Sequence, residues 1–263
     1  MRAYLSVFKM RLRMELQYRG AMIGGILCQM FFGLVLVALY KTLYDGNPQP
    51  MPFSSIATYV WLQQAFFRMM LGSDSDLLDK IRSGDISYDM CRPVNMYGFY
   101  YARIMAQKFM GSIMRAVPML ILAAILPMGY GISGPASVWG LLSAIPALFL
   151  GLLCVCALEN ITMAFTMKTL DPRGMQGLLN LLMMTLSGNI LPLTLFPDSW
   201  QKVITFFPYA QLLDAPIRLY TGDYLPVDAL RVYALQGFWV IVLVSLGVAM
   251  WNANKKRMVV QGG

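Results

Sequence analysis

Histidine is missing from this 263-residue chain, and charge is scarce: only 13% of the residues are Asp, Glu, Lys or Arg. The lack of histidine excludes His-based triads, imidazole metal sites and His proton relays. The lack of charge excludes a soluble domain of this length, which needs far more polar surface. Cysteine is also sparse. Cys28, Cys154 and Cys156 fall in apolar runs, Cys91 does not, and their spacing gives neither a disulfide framework nor a zinc site. No G-x-x-x-x-G-K-[ST] occurs, so no nucleotide binds through a P-loop, and no G-x-S-x-G or pair of intramembrane carboxylates is visible. We therefore expect no catalytic residue, no metal ligand and no cofactor on this chain.

What is present is apolar: 58% of the residues are hydrophobic and the mean hydropathy is +0.57. The 22 methionines read as apolar filler. Six runs approach the roughly 20 residues that span a bilayer: 20–40, 53–72, 106–128, 137–158, 174–195 and 232–251. The second is the weakest, with Gln63, Gln64 and Arg68, and the third is interrupted by Arg115 and Pro118. The expected fold is all-α, a single membrane domain over residues 1–263 with six transmembrane helices.

Lysine and arginine orient it. With the N-terminus inside, the segments 1–19, 73–108, 159–173 and 252–263 hold fifteen of them. The opposite side holds Lys41, Lys202, Arg218 and Arg231. Both termini are thus expected in the cytoplasm, in a cell inner (plasma) membrane. The same distribution assigns the net charge of +8 to topology and not to nucleic acid. The sequon Asn160-Ile161-Thr162 falls inside. Residues 1–19 are not expected to be a cleavable signal. There Leu5, Phe8, Leu12 and Leu16 recur at helical spacing beside Arg2, Lys9 and Arg13, as in a helix lying in the membrane interface.

Three further segments stand out. Residues 73–93 carry eight charges between greasy neighbours, with Ser73 placed to cap a helix through 75–83, Gly84 to end it and Pro93 to begin the next segment. The fifth run carries Asn180, Thr185, Ser187, Gly188 and Asn189, polar and small side chains that suit close helix approach or a pathway between subunits. The last outside segment, 196–231, reads as a hairpin of two amphipathic helices at headgroup level, over 196–228. The first follows Pro197, has Trp200, Val203, Ile204 and Phe207 on one face, and stops at Pro208. The second covers roughly 209–221 and stops at Gly222. Gly20-x-x-x-Gly24 is a packing motif of the ordinary kind. Glu159 and Asp171, near inner helix ends, are either proton relays or solvated. Arg115 needs a partner or an aqueous cavity, or else it snorkels.

This layout resembles the membrane subunits of ABC exporters of the ABC-2 type, over nearly the whole chain. "SGNILPLTLFPDSWQKVITFFPYAQLLDAPIRLYTG" is similar to the family's fifth-span end, and "IRSGDISYDMCRPVNMYGFYYAR" to the first cytoplasmic loop of one bacterial branch. The resemblance implies that the loop is a coupling helix docking on a separate ATPase subunit, with Asp79, Arg82, Ser83, Gly84, Asp85 and Tyr88 as contacts. Asn180, Thr185 and Asn189, at spacings of 5 and 4 on roughly one side of a helix, are expected to face the second permease and the substrate route, and the resemblance implies an outer gate of Pro192, Phe196, Pro197, Trp200, Phe207 and Pro208 in a re-entrant hairpin. Implied partners are two ATP-binding-cassette ATPase subunits carrying ATP and Mg, a second permease, identical or related, and membrane lipid. The implied cargo is amphiphilic, drug-like or lipid-like. The alternatives are an ATP-independent transporter or channel, a lipid-modifying enzyme, and a scaffold. The first needs an ion-coupling acid deep in a span and the second an interfacial Asp or His cluster.

Overall fold

The structure is a computed structural model and describes residues 2–17, 19–45, 51–71, 73–127 and 129–255. Met128, Lys256 and Arg257, which figure in the expected third run and basic C-terminal segment, lie outside the described residues. The described chain is all helix and turn: α1 Arg2–Glu15, α2 Arg19–Tyr44, α3 Phe53–Met70, α4 Ser75–Ser83, α5 Ile86–Met90, α6 Met96–Ile125, α7 Val138–Thr169, α8 Arg173–Leu186, α9 Asp198–Ile204, α10 Asp214–Thr221 and α11 Ala229–Asn254. Short 3-10 turns occupy Leu193–Leu195 and Pro226–Asp228.

Four stretches have the length and apolar composition to cross a membrane: Met22–Tyr44, Met96–Ile125, Val138–Thr169 and Pro226–Asn254. They correspond to the first, third, fourth and sixth runs, each longer than expected. α6 starts ten residues before 106 and takes in Arg103 and Lys108. α7 runs eleven residues past 158 and takes in Glu159. Composition alone ends a helix at its first charges, whereas here those charges are paired, Lys108 with Glu159 and Arg103 with Asp74. Pro118 does not interrupt α6 either. A proline removes one backbone hydrogen bond, and neighbouring helices make that tolerable in a packed apolar helix.

The second and fifth runs depart further. α3 is a helix of 18 residues, and from Ile56 to Ala65 every one is buried. It lies between α2, α6 and α10. Its glutamines are polar because they face protein, not lipid: Gln63 Nε2 donates to the Ser187 carbonyl at 3.0 Å. The fifth run is not one helix over 174–195. α8 has 14 residues, about 21 Å at 1.5 Å per residue. It ends at Ser187, and Gly188 follows at φ +77°. A Cβ there would strike the Tyr59 hydroxyl, so the turn is fixed both by backbone sign and by space.

The hairpin also differs from expectation. α9 starts directly after Pro197, but Trp200, Val203 and Phe207 are exposed and only Ile204 of the expected apolar face is buried. The helix ends at Ile204, before Pro208. α10 begins at Asp214, later than 209, and stops at Gly222, φ +81°. Six of its eight residues are buried, against α7 and α3. It is an interior plug, not a surface helix. Asp214 and Arg218 produced its amphipathic pattern, yet they face each other at 3.7 Å inside the bundle. Pro192 and Pro208 are buried, Phe196 is half-buried and Pro197 is exposed.

α1 is present, with its contact face rotated from the expected stripe. Val7 and Arg11 are buried, while Leu5 and Leu16 are exposed. On α2, Ile23, Leu27, Phe31, Val35, Leu39 and Leu43 step by four residues along one exposed ridge. A continuous apolar ridge of this length needs a nonaqueous surrounding. Gly20 and Gly24 meet nothing within 4 Å, so the small-residue motif packs against no other part of the described chain.

The molecule has two ends. At one, α1, α4 and α5 gather around the start of α6, Met163–Met167 of α7 and Trp251 of α11. At the other, α10 meets Ala144 and Ala147 of α7 and the start of α11 at Ala229 and Val232.

Candidate functional site

The first end holds the charged loop. α4 starts at Ser75, and its cap is Asp74, not Ser73: the Asp74 carboxylate accepts from the Leu77 backbone N–H at 3.3 Å. Gly84 ends it at φ +85°, in the left-handed region where a β-branched residue is strained. Leu77, Leu78 and Ile81 fall on one helical face and are buried, joined by Ile86 of α5. They pack on Val7, Tyr100, Met163, Met167 and Trp251. The opposite face is polar and open. Asp79, Arg82, Ser83, Asp85 and Tyr88 are all exposed, and Gly84 is half-buried. Ser83 Oγ donates to Asp85 at 2.8 Å, which stiffens the turn between the two helices.

A network of ion pairs holds this element to the bundle. Asp74, fully buried, receives Arg103 through Nε at 2.5 Å and Nη2 at 3.0 Å. Arg11 lies 3.6 Å from Asp74 and 3.1 Å from Asp76, and Arg103 is also 3.1 Å from Asp76. The backbone N–H of Asp74 donates to Glu159 at 3.1 Å, and Lys108 pairs with Glu159 at 3.1 Å. One carboxylate cap thus links α1, α4, α6 and, through Glu159, α7. A second knot lies at Asp89, which accepts from Lys80 and from the Tyr100 hydroxyl at 2.9 Å each and faces Arg92 at 3.3 Å. Burial works to raise the Asp89 carboxyl, but the hydrogen bonds from Lys80 and Tyr100 and the charges of Lys80 and Arg92 outweigh it, and its pKa falls below the ordinary value.

The sequence reading found the open face and missed the anchors. In the sequence Arg103 and Lys108 count toward topology, Asp74 and Asp89 are two of the eight charges of the 73–93 segment, and Glu159 is either a proton relay or solvated. The usable signal was Leu77, Leu78 and Ile81, an apolar stripe inside a charged loop, which means that the helix packs on something.

The three pathway positions are not brought together. Asn180 is half-buried in a cleft with Ser73, Glu159, Thr162 and Gln176. Thr185 is exposed, and its hydroxyl donates to the Leu181 carbonyl at 2.8 Å. Asn189 is beyond the end of α8, in a separate cleft beside Tyr40, Tyr59, Gln64 and Pro192. The expectation that all three share one helical side fails because Gly188 turns the chain.

At the second end a buried polar chain ties the hairpin to α3. Tyr59 donates to Asp214 at 2.5 Å, Arg218 reaches Asp223 and the Gln201 side chain, and its guanidinium lies 4.1 Å over the Tyr224 ring. Gln236 of α11 donates to the carbonyls of Ala147 and Gln211 at 2.8 Å each.

A bundle with apolar spanning helices, a rigidly anchored polar helix pair at one end and a plugged hairpin at the other suits a transport protein's membrane component. No curated protein matches the chain at a significant level. The family of ABC-2 family transporter proteins matches it over residues 26–262. That covers nearly the whole chain, including every element from most of α2 onward, and the chain therefore belongs to the ABC-2 family of transporter proteins, as a multi-pass membrane component.

Proposed function

We propose that this chain is the permease subunit of an ATP-driven exporter and that α4 and α5 dock on a separate ATPase subunit. One observation carries this reading. The polar face of α4 and α5 is open while its other face is locked into four helices, so a force applied at Asp79, Arg82, Asp85 or Tyr88 reaches the bundle without dissipating in a loop. A loop that only set topology would need no buried carboxylate cap.

The reading places this end in the cytoplasm, as the Lys and Arg bias requires. It counts six crossings. α3, about 27 Å long, is the second, and α8 with its turn and 3-10 segment is the fifth. A short fifth crossing is tolerable where protein covers it. The exposed face of α8, with Leu178, Leu181 and Thr185, is where a second permease, identical or related, would sit. Two ATPase subunits would carry ATP and Mg, and this chain would be non-catalytic. Asn180, Thr185 and Asn189 would border the route between the two permeases, and the hairpin from Pro192 to Pro208 would close its outer mouth. The cargo class, amphiphilic, drug-like or lipid-like, rests on the family resemblance.

The test is ATP-dependent uptake of a fluorescent amphiphile into inside-out vesicles holding this chain with a cognate ATPase subunit. Uptake that needs ATP hydrolysis is expected. Uptake undiminished with a hydrolysis-dead ATPase would favour an ATP-independent transporter.

A further inference from the structure

The plug at the second end turns on one carboxylate. Asp214, the first residue of α10, is fully buried. Its Oδ1 accepts from the Tyr59 hydroxyl of α3. A Cβ on Gly188 would lie 3.2 Å from the same oxygen, so the turn that closes α8 rests bare backbone against it. One side chain thus joins α3, the end of α8 and α10.

The other oxygen, Oδ2, receives no hydrogen bond among the described residues. Arg218 Nη1 stands 3.7 Å from it, beyond hydrogen-bond reach. The guanidinium donates elsewhere: Nε to Asp223, and Nη2 to Gln201 Oε1 at 3.3 Å. A buried carboxylate oxygen without a donor is costly while charged, and a proton relieves it. Arg218 keeps Asp223 and Gln201 when Asp214 is neutral. The open side is close, because Arg218, Gln201 and Asp198 line an open cavity of about 370 Å³ beside the start of α11.

The titratable and charged groups around Asp214 are few. Tyr59 comes from α3, and Tyr40 of α2 borders the Tyr59 and Gly188 cleft. Arg218 lies on its own helix, Asp223 and Tyr224 follow it, and Arg231 of α11 acts on Tyr224. The turn 187–195 holds none, and α7 presents Gly140, Ala144 and Ala147 to the plug. α10 is not among the crossings. Burial raises the Asp214 carboxyl to about 6, against the charge of Arg218, the Tyr59 hydrogen bond and the Leu193 backbone N–H, which lower it.

We propose that Asp214 is a proton-operated latch: it takes up a proton through the outer cavity and, once neutral, holds the plug shut. The sign follows from linkage. With the plug open Asp214 meets water and returns to the ordinary aspartate value of about 4, so the closed plug binds the proton more tightly. The latch is fully set below that value and is released as pH rises through about 6. This adds regulation to the gate proposed above, and it rests on that reading only in calling this end the outer one.

The experiment is hydrogen exchange read by mass spectrometry over residues 209–221 of the full-length chain in nanodiscs, each rate divided by the intrinsic rate at its pH. From about pH 7 to about pH 5 wild-type protection should rise about tenfold. Asp214→Asn, neutral at every pH, should show no such rise. Tyr59→Phe removes a bond that favours the charged carboxylate, so the midpoint should move up. Asp223→Asn removes a neighbouring negative charge, so it should move down. Wild-type protection that stays flat overturns the latch, a result that needs no variant to fold. A full response in folded Asp214→Asn overturns it too. None of these readings involves ATP. In inside-out vesicles the lumen faces the outer end, and acidifying it to about pH 5 should slow ATP-driven uptake several-fold. An exchange response with uptake indifferent to lumenal pH upholds the latch and removes the hairpin as the outer gate, so the two readings fail separately.

Discussion

Asp74 caps α4 with one oxygen, binds Arg103 with both, faces Arg11, and lends its backbone N–H to Glu159. Removing it takes the buried carboxylate from two largely buried guanidiniums, which keep only the exposed Asp76 and, for Arg11, Glu15, and removes an N-cap in the same step. Asp74→Ala should cost about 3–5 kcal/mol, seen as a large fall in the unfolding temperature of the detergent-solubilised chain. Arg103→Ala should cost a similar amount, and the pair together less than the sum, because they share one interaction. Asp89 answers to pH. Its folded pKa is depressed, so its stabilisation is present above the ordinary aspartate value near pH 4 and is lost as pH falls through the lower folded value. Asp89→Asn should lose about 2 kcal/mol at neutral pH. It should also lose the acid-side part of the wild-type decline, so that the two unfolding curves converge below about pH 4. Curves that stay parallel would remove Asp89 from the anchor. None of these partners could be read from the sequence. The pairs Asp74–Arg103 and Lys108–Glu159 join residues 29 and 51 positions apart, and a single chain of letters holds no record of which charges meet.

The helices themselves were more legible. Gly84 was placed at the end of α4 and sits there at φ +85°. Four apolar runs became the four long helices, because uninterrupted hydrophobicity over such lengths has few other outcomes. The misses share one cause. α3, α8 and α10 are shaped by neighbours: Gln63 of α3 holds the carbonyl that closes α8, and Asp214 of α10 receives Tyr59 of α3. A polar residue facing protein reads, in isolation, as a weak span or a surface face. The turn at Gly84 carries its own prediction. Gly84→Val removes no charge but strains the joint between α4 and α5 by about 1–3 kcal/mol. ATP hydrolysis by the reconstituted complex should persist while transport per ATP falls. Unchanged transport per ATP would mean that the joint transmits nothing.

For the molecule as a whole, membership in the ABC-2 family and the gathering of α1, α4, α5, the start of α6 and the ends of α7 and α11 at one pole give a consistent picture. The pole that is richest in basic residues is also the one with an anchored polar helix pair. The opposite pole is closed by a buried plug, with exposed apolar groups Trp200, Val203 and the Phe206–Phe207 pair on α9 and just after it. Tyr88 marks the first pole and Val227 the second, both strongly exposed. The most direct test of the account is the rate at which Tyr88→Cys, in a background freed of the four native cysteines, reacts with a membrane-impermeant thiol reagent. The account predicts no reaction in intact cells, reaction in inside-out vesicles, and strong protection when the ATPase subunit is bound, while Val227→Cys shows the opposite sidedness and no protection. Reaction of Tyr88→Cys from outside intact cells, or a rate in vesicles that the bound ATPase leaves unchanged, would contradict it.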